Sequence, residues 1–285
     1  MTLPHARFSL NQATIKHASL GEAIGLCVEQ GVASIGLWRE PVAEAGLGRS
    51  VRLLRDSGLR FSSMCRGGFL TDPKDRSAAL DENRRAIEET AALAAAGARG
   101  SAAVLVMVAG GIPEGSTIAE ARARLEEGVA ELAPEAEAAG VTLALEPLHP
   151  MYASDRAVLS TLGQALDIAE RVGSPAVGAV VDAFHVWWDP DVAAQVRRAG
   201  AAGRIASYQA CDWRTPLPAD VLLSRHLPGG GVIDFAALTA LVNESGYTGD
   251  VEVEVFNAEL WAQPYGEALR ETWQTFNAHV GVHLS

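Results

Sequence analysis

Cysteine is scarce in this sequence. Its 285 residues include three, Cys27, Cys65 and Cys211. They are too few and too scattered for a disulfide framework or a cysteine-rich zinc site, and they fit a reducing cytoplasm. Positive charge is also short. Lys and Arg number 23 against 35 Asp and Glu, which gives a formal net charge of −12. Binding a phosphate backbone needs a basic surface, so no nucleic-acid partner is expected. An anionic membrane surface is disfavoured on the same ground, and no membrane partner is expected. No apolar run reaches the roughly 20 residues of a membrane span. The opening stretch MTLPHARFSLNQ has no apolar core of signal-peptide length, so a cytoplasmic location is expected. No GxGxxG or GxxxxGK[ST] follows any apolar run, which removes the usual signature of a nucleotide-binding open sheet. There is no composition break and no low-complexity tract, so residues 1–285 read as one domain.

What is present is an alternation. Short apolar runs cover 6–10, 33–38, 59–65, 102–108, 141–145, 177–181, 205–210 and 251–256. Most are nearly continuous in apolar residues, as parallel strands covered on both faces must be. Longer amphipathic segments separate them, at 20–30, 41–56, 74–96, 117–139, 159–172, 192–201, 235–245 and 264–279. Six of these eight stop at or close to a glycine that precedes the next run, which is the expected chemistry of a helix-to-strand turn. Eight strands, each followed by a helix, is the formula of a closed (β/α)₈ TIM barrel of the α/β class. About 250 residues is the usual size for that fold, and a chain of this length buries roughly three quarters of its unfolded surface without staples.

In such a barrel, function gathers at the C-terminal ends of the strands. The fifth run ends in Glu146, within LALEPLHP. The sixth ends in Asp182, within GAVVDAFHVWW. The eighth holds Glu252 and Glu254, within VEVEVF. One carboxylate at a strand tip can be structural, capping a helix or pairing with an arginine. Three on the last four strands converge on one rim, where like charges repel strongly in a low-dielectric site. A divalent cation among them is the simplest resolution. Glu252 alternates with Glu254, so it lies one layer deeper and is expected to pair with a buried Arg or Lys. His185, three residues after Asp182, sits where a substrate would lie. His149, in the Pro-flanked LHPMY loop, reads equally as a loop cap or a substrate contact. Trp187 and Trp188 read as packing residues, although Trp187 or Trp38 at the barrel mouth could stack on a sugar ring. Arg66, in the Arg66-Gly67-Gly68 end of the third run, is a further candidate contact. That loop and Gly229-Gly230-Gly231 are also candidate phosphate cradles, and both read equally as turns needing positive φ.

Four stretches in this order resemble the sugar phosphate isomerase/epimerase superfamily, the xylose-isomerase-like barrels. They are LEPLHP, VVDAFH, CDW followed by HLPGGGVIDF, and GYTGDVEVEVF. The resemblance spans nearly the whole chain. It implies metal ligands at Glu146, Asp182, Gln209 and Glu254, and substrate contacts at His185 and Arg225. It also implies a sugar or polyol substrate and a possible homo-oligomer. Many members carry His at the strand-seven ligand position, and this chain carries Gln209. The coordination sphere would then be all oxygen, which favours Mn²⁺ or Mg²⁺ over Zn²⁺. Glu146 and Glu254 would flank the substrate as acid and base. Proton abstraction next to a metal-bound carbonyl gives an enediolate. Return of the proton gives epimerisation or aldose–ketose isomerisation. Loss of a β-group instead makes the enzyme a lyase, either a dehydratase or a 3-keto-glycoside or C-glycoside deglycosylase. An AP endonuclease on the same barrel would need a multi-histidine cluster and a basic groove, and seven scattered histidines with a charge of −12 argue against it.

Overall fold

The computed structural model describes residues 3–223 and 225–284. Residues 1–2, 224 and 285 of the expected single unit lie outside the described residues. Eight parallel strands pair in chain order into a closed barrel. They are β1 (Phe8–Asn11), β2 (Ser34–Trp38), β3 (Arg60–Gly68), β4 (Val104–Val108), β5 (Thr142–Glu146), β6 (Val177–Asp182), β7 (Ile205–Gln209) and β8 (Val251–Val253). The ring closes where Phe8, Ser9 and Leu10 of β1 lie opposite Val251, Glu252 and Val253 of β8. The helices are α1 (Leu20–Gln30), α2 (Arg39–Ala45), α3 (Leu47–Ser57), α4 (Arg76–Ala96), α5 (Ile118–Ala139), α6 (Leu162–Val172), α7 (Ala183–Val186), α8 (Val192–Ala201), α9 (Phe235–Glu244), α10 (Ala258–Trp261) and α11 (Tyr265–His279).

Local chemistry starts and stops these helices. Ser19 and Thr117 each accept a hydrogen bond from the backbone N–H three residues on, while Glu22 and Glu120 reach back to the cap's own N–H. Each such reciprocal cap satisfies donors that a helix start leaves free. Gly31 and Gly140 end α1 and α5 with φ of 74° and 68°, a conformation that strains any residue with a Cβ.

Several boundaries differ from the sequence expectation. The helix expected over 41–56 is two helices, because Gly46 breaks the chain with φ 81° and ψ 134°. The helix expected from 159 begins at Leu162, where Thr161 accepts from the Gln164 amide. The strand expected over 251–256 ends at Val253, so Glu254 lies just past it. β3 runs on to Gly68 instead of stopping at Cys65. The short helices α7 and α10 are unexpected. Each is four residues long, too short for an amphipathic period to register.

The core has two parts. The larger lies between the barrel's outer face and the helices, with Phe8, Leu54, Leu105, Leu143, Tyr208 and Phe276 fully buried. The smaller fills the barrel interior with Cys65, Val104, Val106, Ala144 and Val180. Side chains alternate across a strand, so residues two positions apart share a face. Ala144 on β5 and Val180 on β6 point inward. Glu146 and Asp182, two residues further on, therefore point into the barrel's mouth.

Candidate active site

Glu146, Asp182, Gln209 and Glu254 arrive at that mouth from β5, β6, β7 and the end of β8. All are buried, with between 0 and 6% of their surface exposed. Register accounts for part of the convergence. Asp182 lies directly opposite Gln209 on the neighbouring strand, and Val108 lies opposite Glu146. One Asp182 oxygen, Oδ1, accepts the Phe184 amide at 2.8 Å and so caps α7. The other, Oδ2, has no hydrogen-bond partner among the described residues, and neither does Gln209 Oε1. A buried acceptor left unmet costs roughly 1–3 kcal/mol. Two of them stand at one barrel mouth.

Two basic side chains face the same space. Arg225 is buried, its guanidinium stacked over Phe184 at 4.4 Å and over Phe256 at 5.1 Å. Its Nη1 stands 3.5 Å from Glu254 Oε2, yet Nη1 and Nε make no hydrogen bond. Its backbone is pinned by Asn257, whose amide donates to the Arg225 carbonyl at 2.8 Å. His185 is 1% exposed. The His149 backbone N–H donates to its Nδ1 at 3.0 Å. The proton of the neutral ring is therefore on Nε2. Burial and the nearby Arg225 hold this imidazole well below its ordinary pKa, so neutral is its state. Nε2 is 3.6 Å from Asp182 Oδ2 and 3.3 Å from Arg225 Nη2. The first contact is too long for a hydrogen bond, and the second sets one donor against another.

The carboxyls are displaced upward in pKa. Burial, then Glu254 and Asp182, push Glu146 well above the usual carboxylate range. Burial raises Glu254 to about 7 and Asp182 to about 6, with Arg225 opposing the rise in both. Ligand atoms of Glu146, Asp182 and His185 lie within 4.8 Å of one another, close enough to surround one ion.

One layer below, Glu252 is 1% exposed, as its alternation with Glu254 requires. Its expected Arg or Lys partner is not found among the described residues. Asn11 donates to Oε2 at 3.0 Å, and the Ser63 and Ser62 hydroxyls lie beside it. Burial lifts Glu252 to about 7. An added Cβ at Gly36 would fall 2.1 Å from Glu252 Oε2, so β2 makes room for this carboxyl by having no side chain there.

The cavity above the acids holds about 340 Å³ and is lined by Trp38, Arg66, His185, Arg225, Glu146 and Glu254, among others. Trp38 is fixed by donating its indole N–H to Asn11 Oδ1 at 2.9 Å. Trp187 does not line this cavity. It packs on Trp213, 5.5 Å between ring centroids, and lines a separate groove beside α8 and α9. His149 accepts the Met151 amide at 3.3 Å, closing its loop, and its ring stacks 4.7 Å from that of Trp213. Sequence reading missed Arg156, Asp155, Phe69 and Phe256, which also line the cavity. They sit in loops or past strand ends, where no period marks them.

Both candidate phosphate cradles are already filled. Asp212 takes four backbone N–H groups, from Trp213, Gly229, Gly231 and Ile233, at 2.8–3.0 Å. The triple glycine therefore wraps a carboxylate of the chain itself. The Gly68 amide is taken by Asn83 Oδ1, and Asn83 Nδ2 donates to the Gly68 carbonyl. The amides of Gly68, Gly229, Gly230 and Gly231 are all taken by groups of the chain itself.

A family model described as xylose isomerase-like TIM barrel matches residues 22–275. The chain belongs to that family. Among solved structures, protein SMc04130 from Sinorhizobium meliloti 1021 is 43% identical, with a TM-score of 0.91 over 96% of this chain and 98% of that one. The IOLI protein, solved with a bound zinc atom, shares the fold at 23% identity and TM-score 0.83, over 98% of this chain and 99% of that one. An inosose isomerase of Halalkalibacterium halodurans is 29% identical over 158 residues, 54% of each chain. The chain thus spans about half the length of that curated relative. No helix among the described residues is long and apolar enough to cross a membrane.

Proposed function

We propose that this barrel is a divalent-metal-dependent isomerase or epimerase of a sugar, keto-inositol or related polyol. The observation that carries the reading is the pair of unmet buried oxygens, Asp182 Oδ2 and Gln209 Oε1, set among the raised carboxyls of Glu146 and Glu254. The similarity to an inosose isomerase supports the substrate class.

Glu146, Asp182, Gln209 and Glu254 would hold the ion. His185 would not, close as it is, because its Nδ1 lone pair is spent on the His149 amide and its Nε2 carries the proton. The donor set is then all oxygen and favours Mn²⁺ or Mg²⁺ over the zinc found in the fold neighbour. When bound, the ion supplies positive charge that stabilises an enediolate next to a substrate carbonyl.

The chain's own residues do the rest. Glu146 and Glu254 come from β5 and β8, with β6 and β7 between them, so they address a sugar from different sides. One takes the proton from carbon onto a carboxylate oxygen, and the other returns a proton. Without the ion, burial raises Glu254 to about 7. His185 offers Nε2–H to a substrate oxygen. Arg225 offers its unpaired Nη1–H to developing negative charge and holds Glu254 at 3.5 Å. Trp38 and Phe256 supply apolar walls for ring carbons.

The test is incubation of metal-loaded protein with ketoses and keto-inositols in D₂O, followed by NMR. Deuterium appearing at the carbon next to the carbonyl supports the reading. A metal-loaded protein that exchanges none of them defeats it. Release of a β-substituent in the same tubes would select the lyase outcome.

A further inference from the structure

The floor of the site is chemically self-contained. Its three carboxyls, from Glu146, Asp182 and Glu254, face Arg225 and the proposed ion. Two more guanidiniums line the same cavity and make no hydrogen bond or ion pair with those carboxyls among the described residues. Arg66 is carried at the end of β3 and Arg156 in the loop between β5 and α6. The nearest acid to Arg66 is Glu40 at 4.0 Å, and the nearest to Arg156 is its own neighbour Asp155 at 3.9 Å. Both distances are too long for hydrogen bonds. Both acids are largely exposed, so water screens what attraction remains. Among the described residues neither guanidinium has a hydrogen-bonded acceptor. The usual fate of an arginine in this molecule is different: Arg39, Arg60, Arg84, Arg171 and Arg198 each make close carboxylate contacts.

Arg66 is also held in place. Its guanidinium lies over Phe69 at 4.8 Å and over Trp38 at 5.8 Å. Arg156 lies over Tyr152 at 5.6 Å. Arg66, Arg156, Trp38, Leu222 and Phe256 line a second, outer chamber as well, of about 600 Å³. The two cavities therefore adjoin, and the two arginines line both. Lys16, in the outer chamber, lies over Trp261 at 5.2 Å and has no carboxylate within salt-bridge distance. A chain with a net charge of −12 has thus placed three weakly paired cations at this entrance, where Glu22, Glu40 and Glu44 also line the outer chamber. Fixed guanidiniums with free N–H forks suit a carboxylate or a phosphate.

We propose that the substrate carries a fixed negative charge, a carboxylate or a phosphate, held by Arg66 and Arg156, which line both the inner cavity and the outer chamber. This rests on the assignment of that site to a sugar or polyol and narrows it to an anionic one. The recognition is by side chains, because the amides of Gly68, Gly229, Gly230 and Gly231 are already taken.

The test uses the full-length, metal-loaded protein and four probes: fructose, fructose 6-phosphate, fructuronate and inorganic phosphate. Binding is followed by tryptophan fluorescence, since Trp38 adjoins Arg66, and by calorimetry. The expected result is that one sugar anion binds at least ~10-fold more tightly than fructose, and that Arg66→Gln and Arg156→Gln each collapse this ratio ~10–100-fold. The phosphate and carboxylate arms identify which anion is meant, and inorganic phosphate should compete with the preferred sugar. Equal affinity for fructose and both anions overturns the proposal, as does a preference that survives both substitutions. Failure of deuterium exchange with intact anion binding would instead fault the isomerase assignment.

Discussion

At the residue scale the molecule is governed by a few polar atoms that folding has left without partners. Gln209 is the sharpest case. Removing its amide oxygen in Gln209→Ala should weaken divalent-metal binding by roughly 10–100-fold, as read by competition with a chromogenic chelator, while the barrel stays folded. Gln209→His should move the preference from Mn²⁺ toward Zn²⁺, because imidazole suits zinc better than an amide oxygen does. An unchanged metal preference in both variants would remove Gln209 from the coordination sphere. Glu254 bears a different load. Replacing it with Gln keeps the shape and removes the proposed base, so solvent exchange into substrate should fall ~10²–10⁴-fold with circular dichroism unchanged. Full activity in Glu254→Gln would take this residue out of the mechanism.

These residues were differently visible in the sequence. Glu146, Asp182 and Glu254 stood out because a carboxylate ending an apolar run is unusual. Gln209 looked ordinary as a residue and was singled out through the family resemblance alone. Arg156 gave no signal at all. An arginine in a loop is the commonest kind of arginine, and only the folding of that loop over the barrel mouth makes it a wall of the cavity. Trp187 and Trp38 read alike, yet one packs against Trp213 and the other faces the site, because α7 turns the chain after Asp182.

At the scale of the element, the loop after β7 shows how a motif can mislead about its own purpose. A run of three glycines followed by Ile233 and Asp234 has the composition of an anion cradle, and it does cradle an anion, the carboxylate of Asp212. That carboxylate joins the end of β7 to the segment leading into α9. Asp212→Ala should therefore strip acceptors from four backbone N–H groups, lowering stability by about 2–4 kcal/mol in urea denaturation. Asp212→Asn retains one carbonyl oxygen and should cost less. If both substitutions leave the midpoint unchanged, the loop is held by other contacts. The same loop lies beside Arg225, so the alanine variant should also loosen the floor of the cavity. The split of the 41–56 helix at Gly46 and the early end of β8 belong to this scale too. Both are one-residue backbone decisions inside segments whose hydrophobic pattern is continuous, and periodicity has no resolution there.

At the scale of the whole molecule, the metal-free barrel contains several buried carboxyls whose pKa values are raised. Glu252 stands at about 7, Glu254 at about 7 and Asp182 at about 6. In the unfolded chain each ionises near 4. Below that pH both states are protonated and these groups cost nothing. As pH rises through 4–5 the unfolded chain loses protons that the folded chain keeps, so stability falls until the folded groups ionise near 6–7. Metal-free protein should accordingly lose thermal stability between about pH 5 and pH 7, with a flat response above. Glu252→Gln should remove roughly 1–3 kcal/mol of that loss, since each pKa unit corresponds to about 1.4 kcal/mol. Adding a divalent ion should restore stability most at the high end of the range, where the ligands are ionised. A metal-free melting profile that rises from pH 5 to pH 7 would contradict the buried-carboxyl account.

The sequence by itself determined the barrel: eight apolar runs too continuous for a half-exposed sheet, separated by amphipathic helices with glycine stops. It also determined the residues ending the fifth and sixth runs, because alternation along a parallel strand assigns each position a face before any partner is known. It could not decide what surrounds those residues. Glu252 found Asn11 and two serines in place of a basic partner, because β1, β2 and β3 meet at the barrel axis from positions more than 180 residues away. Asp212 displaced any phosphate from the glycine loop for the same reason. Arg66 and Arg156 became neighbours of one cavity though 90 residues separate them. Which polar atoms are satisfied and which are left over is a property of non-local packing, and Asp182 Oδ2 and Gln209 Oε1 are left over at the proposed site.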